Sequence, residues 1–521
     1  MNQTRPSAGS DPAPYEKQRR VVSRPFSRRA VARNASATRL AVCVNLLRGP
    51  ALWVERSAGA VQRSAGWIHR TASLAIHPPR SLSWTTGAIP GNMPVVICHP
   101  RSLLAAVTLT LAACSSSTES SEPAGPQPPA QCVLPAVPDR PLSSTTDTTF
   151  VKGPYMMHTT TSTAIVMWES KAECDGYVEL GTDPSNLTAS ASHAGTSRIH
   201  EVPIGGLTAS TRYFYRVHAC AETSTVLDFM TAPEAATPVR FTVVGDSQSH
   251  PEISAQVVAG MMKQNPYFVL HAGDTVAAGV LDGLWTLELF EPFRPLLHHV
   301  PLYVAIGNHE NNAHQFYDFL SYPASAPDDP QSESYYSFTW GNVFVLVIDT
   351  NKVFFDLPAA GGGATEMPIS AWVKAQVASD AAKNAVWRIA IGHAPAWSES
   401  WSPGDCSFDG NEHVRDWLMP LLAEHRFQAY FAGHTHAYER GMVGGVLHVI
   451  TGGGGGDLDE WCRDLPVTQV VRARHHFMSV EAGCDKLVVQ AIDAQDGNPV
   501  MDRVELAADR WGEIAAEQTS P

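Results

Sequence analysis

The 521-residue chain has nine cysteines but no C-x-x-C spacing, which excludes a zinc site of the paired-cysteine type. Its glycine run at residues 452–456 lacks a following Gly-Lys-Ser/Thr, so a phosphate-cradling P-loop is excluded as well. The apolar stretch at 103–113 is too short to span a bilayer. Positive charge is scarce over most of the chain. Residues 1–92 hold 14 Lys+Arg against Asp11, Glu16 and Glu55, a balance of +11; the whole-chain −14 less that +11 leaves −25 for the remainder. A body that acidic has no dedicated nucleic-acid or anionic-membrane surface, because phosphate binding requires clustered Lys and Arg. Any phosphate would need a cation to bring it in.

What is present fits an exported, two-domain globular protein. The composition, 44% hydrophobic and 17% charged, allows a large buried core. From Met93 the chain reads as a short n-region with Arg101, an apolar stretch and then Leu-Ala-Ala-Cys, which is signal-peptide anatomy. The last four residues resemble a bacterial lipobox, with Cys114 lipidated. On this reading residues 1–92 are an upstream extension, 93–113 the signal peptide and 114–140 a Ser/Pro-rich tether. The protein would be periplasmic or on the cell surface, touching the membrane only through the lipid. Six cysteines then remain (Cys132, Cys174, Cys220, Cys406, Cys462 and Cys484), and an even number in an exported protein points to three disulfides. Of fifteen possible connectivities, Cys174 with Cys220 is the expected first pair, inside one small domain.

Residues 141–234 carry short β runs separated by turn residues, TAIVMWES, DGYVELG and TRYFYRV among them, as in a β-sandwich. Alternation in the last run puts Tyr213, Tyr215 and Val217 on one face and Phe214 and Arg216 on the other. From about Val239 strands alternate with helices, which predicts a layered α/β domain over 238–508 and a tail at 509–521. The strand-like runs are RFTVV, YFVLH, PLYVAI, VFVLVID, VWRIAI, QAYFA and VLHVIT. A helix is expected at HVRDWLMPLLAEHR, where Val414, Trp417, Leu418, Leu421 and Leu422 recur with helical spacing.

The strand tails carry the chemistry. VVGD ends in Asp246, LHAGD in Asp274, AIGNH in Asn308 and His309, IAIGH in His393, and FAGHTH in His434 and His436. Each follows an apolar run and a glycine, so all can meet at the carboxyl edge of a sheet, where α/β proteins place their sites. Two carboxylates, an amide oxygen and three imidazoles are too nitrogen-rich for Ca²⁺ or Mg²⁺ and too hard for a thiolate site; they suit Fe, Mn, Zn or Co. Two ions fit the set better than one.

The ordered motifs GD, GD, GNHE, GH and GHxH resemble the calcineurin-like metallophosphoesterases. GHTHAYER with GNHE and the preceding sandwich is similar to their purple acid phosphatase branch, with its fibronectin-III-like N-terminal domain; the likeness covers about 140–508. The resemblance implies an α/β metallophosphoesterase domain of layered sheets flanked by helices, behind an all-β sandwich. It also implies two metal ions (Fe, Mn or Zn): Asp246 and His436 on the first, Asp274 bridging, Asn308, His393 and His434 on the second, and His309 beside the substrate. The chain departs from the branch where Ala277 stands in place of the iron-binding tyrosine. Gln248, His250 or water is left to complete the first site. The paired histidines expected after His393 are also missing, with Glu412 and His413 as candidates for outer phosphate contacts.

Other residues read as supporting. The glycine run should form a tight, mobile turn near the site, His271 should pack behind it, Asp349 should cap a loop, and His475 and His476 should lie on the surface. Ser247 lacks a discernible basic partner, which disfavours a serine nucleophile. The reading implied is a phosphomonoesterase with a small phosphate-ester substrate and metal-activated hydroxide. Its alternatives are a phosphodiesterase acting on nucleotides, nucleic acid or lipid headgroups, and a non-catalytic surface binding protein.

Overall fold

The computed structural model describes residues 146–325, 331–351, 368–401, 406–495 and 497–519. The expected extension, signal peptide and tether, with Cys114, lie outside them. Among the described residues no helix is long and apolar enough to cross a membrane.

Alternating apolar residues build the N-terminal sandwich. Lys152–Met156, Thr163–Cys174 and Ser197–Gly205 form one sheet; Gly176–Gly181, Thr188–Ser192, Arg212–Ala219, Glu222–Thr223 and Leu227–Met230 form the other. Tyr215 and Val217 are buried as the alternation predicts, among Trp168, Val178, Val202 and Phe229. Arg216, on the opposite face, pairs with Glu179. The Cys174–Cys220 disulfide joins the ends of two strands, one from each sheet. Cys406 pairs with Cys462, and Cys484 is also disulfide-bonded.

The sandwich is not a free module. Arg294, in the helix Glu291–Leu297, donates to the carbonyls of Gly153 (2.8 Å) and Val151 (2.8 Å), while Tyr215 donates to the carbonyl of His298 (2.7 Å). Tyr155, Met157 and Met167 belong to the same apolar core as Phe241 and Phe268.

All seven expected strands of the α/β domain are present, divided between two sheets of seven. In the first, Val239–Val244, Val269–His271 and Leu302–Val304 run parallel, so that Val244, His271 and Val304 end level. In the second, Val343–Val347, Trp387–Ile391, Ala429–Ala432 and Val446–Thr451 run parallel. Both faces of this second set are buried: Val345, Ile389, Phe431 and Val449 face the core shared with the first sheet, whereas Phe344, Ala390 and Tyr430 face the helices outside. Near-continuous apolar runs follow from that two-sided burial. The helix at 413–426 is also present, with one π turn over Val414–Leu418 before the α segment Met419–Glu424. Val414, Leu418, Met419 and Leu422 are its buried residues, and Trp417 and Leu421 are partly buried against the same core.

Two expectations change. Residues 509–521 are not merely a tail, because Ile514–Thr519 pairs with Val500–Ala507 as an edge strand. The strand His476–Ala482 lies between Val239–Val244 and Lys486–Asp493, so His476 is buried rather than on the surface.

Several histidines are held neutral by burial. His448 is pushed down to about 3 by desolvation, and its Nε2 accepts the Ala396 N–H at 3.1 Å. The folded ring stays neutral down to about pH 3, whereas an unfolded histidine takes up a proton near 6.5, which favours the unfolded state between those values. Its contribution is therefore present above about pH 6.5 and is lost as pH falls toward the folded value, at up to about 1.4 kcal/mol per pH unit for one proton. His158, His298 and His476, each lowered to about 4 chiefly by burial, act in the same direction. Thermal melts of the protein should drop steeply between pH 6.5 and 4.5. His448→Gln should flatten that slope; an identical slope would show that this ring does not couple to acid unfolding.

Candidate metal centre

Every sequence-predicted donor lies just beyond a parallel strand, and the two sheets bring the donors into one cluster. From the first sheet come Asp246 after Val239–Val244, Asp274 after Val269–His271, and Asn308 with His309 after Leu302–Val304. From the second come His393 after Trp387–Ile391, then His434 and His436 after Ala429–Ala432. Asp246, Asp274 and His434 have positive φ (57°, 53° and 70°), a left-handed conformation that non-glycine residues seldom adopt. Strain of this kind persists only where the surroundings enforce it.

Four lone-pair donors converge. His393 Nε2 lies 2.9 Å from Asn308 Oδ1, 3.1 Å from His434 Nδ1 and 3.2 Å from Asp274 Oδ2. His434 Nδ1 is also 2.9 Å from Asn308 Oδ1. The donor atoms of Asp274, His393 and His434 all lie within 4.8 Å of one another. His393 Nδ1 donates to the Ala272 carbonyl at 2.8 Å, which aims Nε2 at the cluster.

The second group is Asp246 with His436. His436 Nδ1 donates to the Asp457 carbonyl at 2.6 Å, leaving Nε2 3.6 Å from Asp246 Oδ1. The Asp246 carboxylate accepts the His434 N–H at 2.9 and 3.0 Å, so the two groups are joined through the backbone. A Cβ on Gly433 would overlap Asp246 Oδ2, and one on Gly307 would overlap Asp274 Oδ1, which accounts for glycine at both places.

Burial and Asp274 push the Asp246 carboxyl well up, while His393 opposes the rise. Burial pushes Asp274 in the same direction, but His393 overrides it and, with His309, holds Asp274 down to about 2. His393 is raised to about 10: burial pushes it down, and Asp274 and Asp246 more than offset that. Burial, followed by His393, lowers His434 to about 3. These oxygen and nitrogen donors, packed at hydrogen-bond separation, fit a cation, which would take the place of the proton that His393 otherwise keeps.

His309 lies at the edge of the cluster. Its backbone N–H donates to Asp274 Oδ1 at 2.8 Å, its Nδ1 donates to the Ala277 carbonyl at 2.8 Å, and its side chain is 44% exposed. Glu412 is largely exposed and faces His413 at 3.9 Å, so neither residue joins the cluster. His271 is packed behind it, as expected, with Nε2 3.0 Å from Ser247 Oγ. Ser247 therefore has a histidine neighbour after all, but both residues are completely buried. Asp349 accepts from Ser334 Oγ at 2.8 Å, a loop contact. The glycine run 452–456 lines the site as expected, but it is buried and held by Gly454 N–H to the Gly245 carbonyl and Gly456 N–H to the Asp246 carbonyl, both 2.9 Å, rather than projecting as a mobile turn.

Sequence reasoning missed three supports. Glu310, fully buried, accepts from the N–H of Gly307 (2.6 Å), Asp274 (3.0 Å) and Thr275 (2.6 Å) and from Thr275 Oγ1 (2.7 Å). Asp459 accepts the His436 N–H at 2.7 Å. Trp401 and Phe408 pack on His434, with ring centroids 5.3 and 4.8 Å away, behind the Cys406–Cys462 disulfide. Glu310 was visible within GNHE; the others follow from no local pattern.

Residues 239–438 match the family described as calcineurin-like phosphoesterase, and residues 154–231 match the purple acid phosphatase N-terminal domain. Purple acid phosphatase 22 of Arabidopsis thaliana is 26% identical over 309 residues, 54% of this chain and 66% of that protein. Purple acid phosphatase 21 of the same plant is 25% identical over 285 residues, 50% of this chain and 60% of its own length. The chain thus spans slightly less than two thirds of these curated relatives. The purple acid phosphatase PPD1 from yellow lupin seeds superposes with a TM-score of 0.56 at 16% identity, covering 68% of this chain and 74% of its own, which shows a shared fold.

Glu310→Gln keeps the shape but replaces a charged acceptor with an amide whose NH₂ would face N–H groups. Hydrogen bonds to a charged group contribute about 1.5–3 kcal/mol each. The variant should lose about 2–4 kcal/mol of stability in denaturant titration and bind less metal at equal free concentration. Unchanged metal uptake would refute the role of Glu310 in setting the cluster.

Proposed function

We propose that this chain, which carries a calcineurin-like phosphoesterase domain behind a purple acid phosphatase N-terminal domain, is an exported dinuclear metallohydrolase that cleaves small phosphate monoesters. The observation that supports it best is the convergence of Asp274, Asn308, His393 and His434 beside Asp246 and His436, with exposed His309 at the rim. Asp246 and His436 would hold one ion, Asn308, His393 and His434 the other, and Asp274 both. Bound there, Fe, Mn or Zn ions would acidify water and neutralise the phosphoryl oxygens that an acidic protein otherwise repels.

The chain's own residues do the rest. Because His309 Nδ1 is occupied as a donor to Ala277, Nε2 is the atom available to substrate, and in the imidazolium form it can hold a phosphoryl oxygen or give its proton to the departing alkoxide, leaving the neutral ring. The backbone hydrogen bond from His309 to Asp274 keeps that ring in register with the cluster. Proton delivery matters most when the leaving group is poor.

Protein loaded separately with Fe, Mn or Zn should hydrolyse p-nitrophenyl phosphate faster than its bis ester, and Asp274→Asn should abolish turnover. No turnover with any metal, or an unaffected variant, would overturn the proposal; a faster bis ester would make it a diesterase. His309→Asn should lower kcat by about 10²-fold or more for an alkyl phosphate and less for p-nitrophenyl phosphate. Equal losses on both would remove the proton-transfer role.

The resemblance of Leu-Ala-Ala-Cys, at the end of the signal-like segment, to a lipobox supports anchoring through Cys114. Cys114→Ala should move the protein from the membrane fraction to the soluble one; retention in the membrane fraction would exclude lipid attachment at this residue.

A further inference from the structure

The Asp246–His436 half of the centre supplies only one carboxylate and one imidazole of its own, and Ala277 offers no side-chain donor to complete it. The Ala277 backbone is already committed, its N–H to Glu288 at 2.6 Å and its carbonyl to His309. His250 is turned away. Its side chain is 40% exposed, with Nε2 3.0 Å from Asp457 Oδ1 and Nδ1 3.5 Å from Glu252, at the entrance to the helix Pro251–Lys263.

Gln248 is the opposite case. It is 2% exposed, its Nε2 lies 3.3 Å from His436 Nε2, and its Oε1 is buried with no hydrogen-bond partner among the described residues. A buried amide oxygen left unpaired is costly and rare, and demands an explanation. The neighbouring His436 Nε2 lone pair is fixed in direction by the Nδ1 bond to Asp457. His436 Nε2 thus lies near both Asp246 and the Gln248 amide, and a half-turn of the amide exchanges its nitrogen for its oxygen at the same place.

We infer that Gln248 Oε1 is a further side-chain ligand, beside Asp246, His436 and the shared Asp274, of the first ion, an inference that rests on the two-metal reading above. A carboxamide oxygen is neutral where a phenolate would be anionic. The first site is accordingly one negative charge poorer, which favours divalent over trivalent ions. Iron bound there would lack phenolate-to-metal absorption.

The test is metal binding, independent of turnover. The purified protein, stripped by chelation, is titrated with Mn²⁺ while free Mn²⁺ is followed by electron paramagnetic resonance. The wild type should take up two ions. Gln248→Leu should keep one and bind the other at least about tenfold more weakly, whereas His250→Leu should titrate as wild type. Should Gln248→Leu fail to fold, Gln248→Glu, of the same shape with an anionic oxygen, should bind the affected ion more tightly. Two unweakened ions in Gln248→Leu, no gain in Gln248→Glu, or loss of an ion in His250→Leu would overturn the assignment of Gln248. Wild-type uptake of fewer than two ions would instead overturn the two-metal reading and the inference with it.

Discussion

A single buried carboxylate sets the geometry on which the rest of the centre depends. Glu310 gathers three backbone N–H groups and one hydroxyl from the turns after Val269–His271 and Leu302–Val304. Those turns cannot be held by sheet pairing, because both strands have already ended. The carboxylate supplies the missing acceptors and thereby fixes Asp274 and His309 relative to each other. Burial and then Asp274 raise its pKa, and the hydrogen bonds from Thr275, followed by His393, oppose that rise. A buried charge of this kind is expensive unless fully hydrogen-bonded, and four donors satisfy it here.

Much of this arrangement was legible before any coordinates, and the reason is periodicity. Strands buried on both faces read as apolar runs, so RFTVV, VWRIAI and QAYFA declared themselves, and the polar residues at their tails followed by adjacency. The sandwich was equally legible through the alternation in TRYFYRV and the spacing of Cys174 and Cys220. The antiparallel strands of the C-terminal region were not. Ile514–Thr519 has mostly exposed residues, and His476–Ala482 is a central strand that joins Val239–Val244 across more than 200 residues. Neither property leaves a local signal. Glu310, Asp459 and the Trp401 and Phe408 rings were missed for a related reason: the carboxylates act as acceptors for backbone N–H groups and the rings pack on His434, and such roles show in contacts rather than in residue type. The choice between Gln248 and His250 was likewise undecidable from spacing, since burial and contacts separate them.

The site also illustrates where this fold places its unfavourable conformations. Asp246, Asp274 and His434 occupy left-handed backbone, each directly after a glycine in the sequence. A non-glycine residue held there costs on the order of 1–3 kcal/mol. Each of the three is secured by a specific bond: Asp246 N–H to the Gly273 carbonyl, Asp274 N–H to Glu310, and His434 N–H to Asp246. The strained residues therefore restrain one another across the two sheets. Reversing the chain at these points turns the donors inward within one or two residues of the strand ends, which a relaxed loop would do only over a longer path.

The segment FAGHTHAYER shows how a short stretch can serve the site and the fold together. His434 and His436 face the two donor groups, and Tyr438, Glu439 and Arg440 anchor the strand Tyr438–Val443 that they begin. Tyr438 and Arg440 both bond to Asp502, with the Arg440 Nε at 2.5 Å, and so tie the second sheet to Val500–Ala507 of the first. Glu439 points the other way, accepting the N–H groups of Glu399 and Ser400 at 2.8 Å each. Burial raises its carboxyl to about 7, and those N–H bonds oppose the rise. Through that contact the strand also sets the start of the loop that carries Trp401 against His434. A buried ion pair such as Arg440–Asp502 contributes little net stability once desolvation is counted. Its value here is in register: the strand cannot slip by one residue without exchanging Glu439 for Arg440, which would leave buried charges unpaired on both faces.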